Sequence, residues 1–443
     1  MRRLPVLLLT AVLAAACGSA GPTSTPGGPS ASPAASAQAA ADIELAVANG
    51  VARLKADPAA AKQAATALNA FGVDLYAQIR TADGNLVVSP ASIALALSMA
   101  RAGAKGATAT EMDKVLHSLA ADANANWIAS LDASLADRTG SFKDQTGQAQ
   151  QVTLRIANAN FAQRGFPLNP DYLKALAERF GAGVQLVDYT TAPETARKAI
   201  NGWVAGKTEQ RIKELLAQGT VDQMTRLVLV NAIYLKAAWL TPFEKSATSP
   251  AQFHLADGST VAVPMMHTGG ELAYAKGSGW QAVALPYVGQ QLSMLVIVPD
   301  DLATFEAGFN AAKLTTITDG LVTREVILGL PKFGTETKTG LTDVLTKLGM
   351  PSAFAAKTAD FSGITAADRL FISAVIHQAN IDVDEAGTTA AAATAAVMAG
   401  SAAPTDTVTL TVDRPFLFAV RDNVTGAVLF LGRITNPAAK PAG

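Results

Sequence analysis

The sequence predicts an α+β protein with large, mostly antiparallel or mixed sheets. Stretches with the helical period are concentrated in the first half of the body, whereas alternating and β-branched stretches dominate the second half. The chain has 443 residues, of which 49% are hydrophobic, so it can bury a large core in one large domain or two medium ones. We see no internal repeat with a period of roughly 20–50 residues.

The first predicted helix opens at Asp57 and Pro58 and carries Leu68, Phe71 and Leu75 on one face. The predicted helices, in chain order, are 58–79, a helix that follows residue 93, 108–119, 125–135, 171–180, 194–216, 302–311 and 341–348. Alternation and β-branched residues predict the strands. These strands are 151–161, 227–235, 261–266, 281–285, 292–298, 326–330, 376–384 and 407–420.

The N-terminus has the pattern of a bacterial lipoprotein signal over residues 1–17. Arg2 and Arg3 precede an apolar run, residues 4–16, that is too short to span a bilayer and ends at Cys17, the only cysteine of the chain. Ala14 departs from the usual leucine of such signals, and an ordinary secretory signal is the alternative. We expect secretion across the cytoplasmic membrane of a bacterium and lipid attachment at the cell envelope, or otherwise an extracellular protein.

A tether is predicted to follow over residues 18–57, before a folded body at 58–443. Residues 18–41 are Gly, Pro, Ser, Thr and Ala with a single Gln, a composition typical of disordered linkers. A random coil of this length spans roughly 25–30 Å. The expected contact with a membrane is therefore through the lipid alone.

Composition and motifs argue against nucleic-acid binding, metal binding and catalysis. The net charge is −1, which provides no bulk field toward nucleic acid or anionic lipid. The four histidines, His117, His254, His267 and His377, are too far apart for a local zinc signature, and no nucleophile elbow, Ser-x-x-Lys pair or phosphate loop occurs. A lone histidine in an apolar strand, as at position 377, is usually a satisfied core residue. We expect neither an enzyme nor a cofactor.

The stretch 385–404, EAGTTAAAATAAVMAGSAAP, has no charge and no proline from residue 388 to residue 403. A solvated linker, an alanine-rich helix and a loop that can become a strand are the three interpretations. The third fits best, because a strand that enters a sheet needs small or apolar side chains on its buried face. At period two, that face consists of Thr388, Ala390, Ala392, Thr394, Ala396 and Met398.

Several motifs, in order along residues 60–437, closely resemble the serpin family. They are NLVVSPASIALALSMARAGAKGATATEM from Asn85, NAIYLKAAWLTPFEKSAT from Asn231, VPMMH from Val263, LPKFG from Leu330 and DRPFLFAVRDNVTGAVLFLGRITNP from Asp413. The resemblance implies a serpin fold with three β-sheets, eight or nine helices and an exposed reactive centre loop at 385–404.

The resemblance also implies roles for individual residues. The polar cluster beneath the main sheet, called the shutter, would consist of Ser89, Ser92, Asn231 and His377. The top of the sheet, called the breach, would contain Trp239 and an ion pair of Lys332 with Glu385. The hinge of the loop would consist of Glu385, Gly387, Thr388, Thr389, Ala390, Ala391, Ala392, Ala393 and Thr394. Its small residues match the inhibitory pattern.

Inhibitory members of this family are suicide substrates of proteases and form a covalent acyl complex with a target serine protease. Counting from the hinge places the scissile bond between Ser401 and Ala402, with Met398 and Ala399 as the second choice. No Lys or Arg lies between residues 385 and 404, which favours elastase-like or subtilisin-like targets. We expect a monomer. The alternatives are a non-inhibitory serpin with a binding or structural role, and an inhibitor of cysteine proteases.

Overall fold

The computed structural model describes residues 42–80, 84–145, 147–388 and 407–439. Within these ranges the chain forms nine α-helices and two large β-sheets. The helices are α1 (Pro58–Ile79), α2 (Pro90–Arg101), α3 (Gly106–Val115), α4 (Ala125–Ala136), α5 (Pro170–Phe180), α6 (Pro193–Lys207), α7 (Leu302–Ala307), α8 (Ala311–Asp319) and α9 (Thr342–Leu348). The predicted α+β class is confirmed.

The first sheet, which we call the main sheet, has eight strands. They are β1 (Glu44–Ala46), β3 (Gly140–Lys143), β4 (Ala149–Gln163), β5 (Val184–Val187), β6 (Leu227–Ala238), β12 (Phe333–Gly340), β13 (Ala374–Val383) and β14 (Gly387–Thr388). Their order is β1-β5-β4-β6-β14-β13-β12, and β3 pairs with β4. β4 and β6 are antiparallel, whereas β6 and β13 are parallel, so the centre of the sheet is mixed.

The second sheet has nine strands in the order β15-β11-β8-β9-β10-β16-β17-β2, with β7 paired to β8. Its strands are β2 (Leu86–Val88), β7 (Ser249–His254), β8 (Thr260–Gly277), β9 (Trp280–Pro286), β10 (Leu292–Pro299), β11 (Val322–Pro331), β15 (Val408–Thr411), β16 (Phe416–Asp422) and β17 (Val428–Ile434). The long strand β8 pairs with β7, β11 and β9 in turn. The resemblance implied three sheets, whereas the described strands are connected by hydrogen bonds into two.

Helix α2 lies at the centre of the core, in contact with β4 and β6 of the main sheet and β17 of the second sheet. Every residue of this helix is buried. The Ser89 side chain caps the helix by accepting a hydrogen bond from the backbone N–H of Ser92, and Pro90 occupies the first turn, where a missing N–H costs nothing. The helix thus holds two serines directly behind the main sheet.

Several predicted elements have different boundaries in the structure, and three of these differences have a clear local description. The helical stretch predicted at 194–216 ends at Lys207, because Glu209 and Gln210 adopt left-handed backbone conformations that stop a helix. The helix predicted at 302–311 is two short helices, α7 and α8. The strand predicted at 407–420 is divided into β15 and β16 around Pro415, which has no N–H for a strand ladder.

Residues 42–57, which the sequence assigned to the tether, lie on the folded body. β1 pairs antiparallel with β5, and the backbone N–H of Leu54 donates to the carbonyl of Glu178 at 2.8 Å. Arg53 forms an ion pair with Asp132 of α4. Composition alone did not reveal this packing, because a three-residue edge strand carries too short a pattern. Among the described helices, none combines the length and apolar character needed to cross a membrane.

Candidate functional site

The main sheet is interrupted between its two central strands. The parallel ladder of β6 with β13 ends at Ala232 and Gln378. Above this point, residues 233–236 and residues 379–382 face each other without a recorded pairing in the described part of the chain. Strand β14 then closes the upper end, where it pairs with both neighbours. The interruption is therefore a slot that is bounded below and above by strand pairing.

The hinge enters this slot at its upper end. Thr388 pairs with Ala237 of β6 and with Val383 of β13, in antiparallel register with both. Its side chain is 1% exposed, and its hydroxyl lies 2.6 Å from the hydroxyl of Tyr287. The first inward-facing residue of the predicted hinge, Thr388, thus already belongs to a short central strand, β14.

Gly387 is required by the closeness of the neighbouring backbone. A Cβ atom at this position would lie 2.2 Å from the carbonyl oxygen of Ala237 and 2.7 Å from the Cα of Ala238. Backbone atoms of a central strand cannot give way as the end of a flexible side chain can. Any larger residue would displace the hinge from β6.

Trp239 organises the entrance of the slot. Its ring stacks on Tyr287, with centroids 4.6 Å apart and planes at 10°. The indole N–H donates to the carbonyl of Asp384 at 3.0 Å, and the backbone N–H of Trp239 donates to the carbonyl of Ala386 at 3.0 Å. Since Tyr287 also contacts Thr388, the aromatic pair fixes both sides of the hinge turn.

An ion pair holds the same turn from the outside. The Lys332 ammonium lies 2.8 Å from one carboxylate oxygen of Glu385, and the hydroxyl of Thr248 donates to the other at 2.9 Å. Burial raises the pKa of the Glu385 carboxyl, but the hydrogen bonds from Lys332 and Thr248 oppose it, so the net shift of the pKa is downward. The carboxylate is thus held ionised although its side chain is 7% exposed.

The four residues of the predicted shutter converge beneath the lower end of the slot. The backbone N–H of Ser89 donates to Nε2 of His377 at 3.0 Å, and Nδ1 of His377 is hydrogen-bonded to Oδ1 of Asn231. The hydroxyl of Ser92 donates to Oδ1 of Asn158 at 2.9 Å. The cluster therefore links the start of α2 to β4, β6 and β13.

These contacts define the protonation state of His377. Nε2 accepts a hydrogen bond, so Nδ1 carries the proton and the ring is neutral. Burial lowers the pKa of the imidazole to about 3, although the contact with Asn231 acts in the opposite direction. The cluster is not fully satisfied, because Nδ2 of Asn231 is buried without a hydrogen-bond partner among the described residues.

The segment from Thr208 to Glu214 crosses in front of the slot. Glu209 forms an ion pair with Arg155 of β4 at 3.1 Å, and Arg211 forms one with Asp382 of β13. The carbonyl of Glu214 accepts a hydrogen bond from Lys338 of β12 at 2.7 Å. The segment thus contacts strands on both sides of the slot.

Several site predictions lie outside the described residues. They concern the remaining hinge residues Thr389, Ala390, Ala391, Ala392, Ala393 and Thr394, the bond between Ser401 and Ala402, its alternative between Met398 and Ala399, and the lipidation site Cys17. Their assignments stay predictions.

Sequence reasoning missed four contributors to the site. They are Tyr287, Thr248, Asp384 and Asn158. Asp384 had a usable signal, because an aspartate two or three residues before a glycine often caps a turn. Its carboxylate accepts from the N–H groups of Ala386 and Gly387 at 2.8 and 3.2 Å. The other three act through contacts between residues distant in the chain, which no local pattern records.

The comparisons with known proteins agree on one family. Residues 66–437 match the family model described as Serpin (serine protease inhibitor). Iris of Ixodes ricinus is 39% identical over 376 residues, which cover 82% of this chain and 96% of that protein. Human leukocyte elastase inhibitor is 35% identical over 389 residues, with 85% and 100% covered.

Solved structures show the same architecture. The thermophilic serpin tengpin in its native state aligns with a TM-score of 0.76 and 26% identity, over 88% of this chain and 97% of that chain. Uncleaved ovalbumin aligns with a TM-score of 0.74 and 30% identity, over 84% and 99% of the two chains. The expected serpin fold is therefore confirmed.

The neutral, buried state of His377 predicts a specific loss of stability in acid. Since its folded pKa is about 3 and its ordinary value is 6.5, the unfolded chain binds a proton that the folded chain excludes. The contribution of neutral His377 to the free energy of unfolding is complete above pH 6.5. It is lost as the pH falls toward 3, by up to about 1.4 kcal/mol per pH unit. Urea unfolding midpoints between these pH values should fall less steeply for His377→Gln than for the parent. A His254→Gln control at an exposed position should follow the parent, and equal slopes for parent and His377→Gln would contradict the assignment.

Removal of the Lys332 cation from its ion pair with Glu385 should lower the stability of the fold. A second substitution, at Glu385, should recover most of that stability. Lys332→Met leaves the buried Glu385 carboxylate without its cation and should cost about 1–2 kcal/mol, less than a fully buried pair because Lys332 is 37% exposed. The lowered pKa of Glu385 means that this contribution is present above pH 4.5 and disappears as the pH falls below it. Urea unfolding at pH 7 measures the loss. The double variant Lys332→Met/Glu385→Gln should recover most of it, and a single variant as stable as the parent would show that the pair does not hold the hinge.

Proposed function

The chain belongs to the serpin family of protease inhibitors, and we propose that it inhibits a serine-type endopeptidase as a suicide substrate by insertion of its loop into the main sheet. The observation that carries this proposal is the short strand β14. Gly387 and Thr388 already lie between β6 and β13, directly above the slot. The entry step of an insertion is thus built into the uncleaved chain.

The slot offers the hydrogen-bonding groups that an entering strand needs. The backbone N–H of Trp239 donates to Ala386 of the hinge, and Gly387 and Thr388 pair with Ala238 and Ala237. Within a strand, alternate residues direct their backbone groups to the same edge, so Leu235 and Ile233 present theirs to the slot next. A hinge that extends downward can therefore pair residue by residue.

The proposed reaction begins as ordinary proteolysis. The serine of the protease attacks the carbonyl carbon of Ser401 and forms an ester, and the amine that leaves is the N-terminus of Ala402. Release of this end frees the hinge, and residues 389–401 continue the strand that β14 starts. Together with Gly387 and Thr388, about fifteen residues at 3.3 Å each carry the attached protease roughly 50 Å.

A comparison of free energies favours trapping of the protease as the covalent ester. Each new strand hydrogen bond contributes about 1 kcal/mol net, so insertion with its apolar burial releases on the order of 10 kcal/mol. Loss of a single oxyanion-hole donor costs a protease about 3 kcal/mol of transition-state stabilisation. The energy of insertion is therefore sufficient to distort the active site and leave the ester unhydrolysed.

The composition of the loop supports a protease with a small or medium apolar specificity pocket. Between Glu385 and Pro404 the chain has no Lys or Arg, and the residues around Ser401 and Ala402 are small. A related protein carries the name leukocyte elastase inhibitor. We infer an elastase-like or subtilisin-like target, with no cofactor, and a monomeric inhibitor.

We also propose that Cys17 is lipidated and that the protein acts at the bacterial cell envelope. The short apolar run that ends at Cys17 and the Gly/Pro/Ser-rich residues that follow support this placement. Labelling with a palmitate analogue in cells that produce the chain, with Cys17→Ser as the control, tests it.

Incubation with elastase, subtilisin, chymotrypsin, trypsin and papain tests inhibition. An adduct with elastase or subtilisin that survives denaturing electrophoresis is the expected result, and the mass of the released C-terminal peptide identifies the bond. An adduct with papain alone would instead support the cysteine-protease alternative. Cleavage by every protease without an adduct, and without a rise in the unfolding temperature of the cleaved chain, would contradict insertion and favour a non-inhibitory serpin.

Thr388→Arg should convert the inhibitor into a substrate. The side chain of Thr388 is buried between β6 and β13, so an arginine there would have to bury an unpaired charge before the strand could extend. We expect cleaved product in place of adduct, measured as the ratio of the two bands at a fixed excess of protease. Thr388→Ser, which keeps the hydroxyl that meets Tyr287, is the control and should form adduct like the parent. Undiminished adduct with Thr388→Arg would overturn the insertion mechanism.

A further inference from the structure

The outer edge of β4 has a stretch without a partner strand. On this edge β4 pairs with β5 only over Asn160–Gln163, and the N–H of Leu154 is bonded to the side chain of Thr139. Between these points, the register with β6 accounts only for the opposite edge. Residues 155–159 therefore run along the main sheet with one side unpaired in the described structure.

The backbone groups on this edge can be identified from their neighbours. The N–H of Leu154 points to Thr139 and that of Arg164 points to Val187, whereas that of Gln163 points to Arg226 beside β6. Even-numbered residues of β4 thus direct their groups outward. Ile156 and Asn158 consequently present two N–H donors and two carbonyl acceptors on the open edge, and no partner for them is recorded among the described residues.

A cavity of about 580 Å³ lies against this edge. Further lining residues come from the N-terminal segment and from the connection between α5 and β5, through Leu45, Val47 and residues 181–183. Leu45 is 55% exposed and Val47 is 38% exposed, so apolar surface remains uncovered there. The volume falls within the range of roughly 300–1,000 Å³ that is usual for ligand sites.

The charged side chains of the cavity wall are mostly basic. Arg53, Arg155 and Lys207 line it, with Asp132 as the only acidic residue among the described lining. Arg53 is paired with Asp132 and Arg155 with Glu209. Lys207 lies 5.7 Å from the ring centre of Trp203, which also lines the cavity, and has no ion-pair partner in the described part of the chain. A cation beside an apolar ring is thus free to meet an acidic group.

We propose that this edge binds an extended peptide segment with acidic side chains, by addition of a short strand to β4. The backbone groups of Ile156 and Asn158 supply the pairing, and Lys207 supplies charge complementarity. A free anion would use the cations but would leave the strand edge unpaired. An extended peptide uses both, because its own N–H and C=O groups match those of the edge.

The bound strand reaches the polar cluster under the main sheet. Asn158, whose backbone lies on the open edge, accepts a hydrogen bond from Ser92 through its side chain. The same residue pairs across β4 and β6 with Asn231, which contacts His377. A partner at this edge would therefore stiffen the strand that flanks the shutter.

Fluorescence anisotropy with a labelled acetyl-VEVEV-amide tests the site on the full-length protein. We expect saturable binding that weakens by about tenfold with the lysine counterpart VKVKV and with Lys207→Glu, since either change turns attraction into repulsion. Lys198→Glu, at an exposed position of the same helix outside the cavity, should bind like the parent. Absence of saturable binding, or equal affinity for both peptides or for Lys207→Glu and the parent, would overturn the proposal.

Two N-methylated peptides test strand addition itself. One peptide is methylated at its odd-numbered residues and the other at its even-numbered residues, so each lacks the N–H groups of one edge. The peptide that lacks the N–H groups facing β4 should lose binding, and the other should keep it. An equal response to both sets would show that the site recognises charge without strand pairing and would overturn the proposal.

Discussion

The constraint on which the molecule depends is an interrupted ladder in the middle of a sheet. A central strand normally has partners on both sides, because a buried N–H or C=O without one costs about 1–3 kcal/mol. Here β6 and β13 are joined below the slot by a parallel ladder and above it by two hinge residues. Residues 233–236 lie between these closures. The sheet thus keeps a place for one more strand, and the proposed insertion would fill it.

The surrounding contacts keep that place closed from three directions. Trp239, Tyr287 and the Lys332–Glu385 pair fix the hinge at the top, so that only Gly387 and Thr388 have entered. The segment that carries Arg211 covers the front. Behind the lower end, His377 is neutral and shared between Ser89 and Asn231. The contacts at the hinge are thus a few hydrogen bonds, one buried aromatic stack and one ion pair.

The sequence was most informative where function restricts a continuous stretch. The absence of charge and proline in 388–403 predicts a segment that can insert, because a strand in mid-sheet tolerates neither. Of this segment the structure describes only Thr388, which pairs with both β6 and β13. The four shutter residues came from motif resemblance, since Ser89 and His377 are 288 positions apart and meet only through the packing of α2 on the sheet. Tyr287 and Thr248 carry no motif of their own and were not predictable. Residues 42–57 illustrate the same limit, because the bonds that dock them are made by α4, α5 and β5, which lie far along the chain.

The shutter leaves unsatisfied polar groups at the lower end of the slot. Nδ2 of Asn231 and Oε1 of Gln378 are buried without partners in the described structure, and both residues lie at the last paired positions below the slot. An apolar residue in place of Asn231 would remove one unsatisfied group, but it would leave the Nδ1–H of His377 without an acceptor. The unsatisfied polarity lowers the stability of the closed sheet. In the proposed mechanism, a less stable closed sheet favours insertion of the loop.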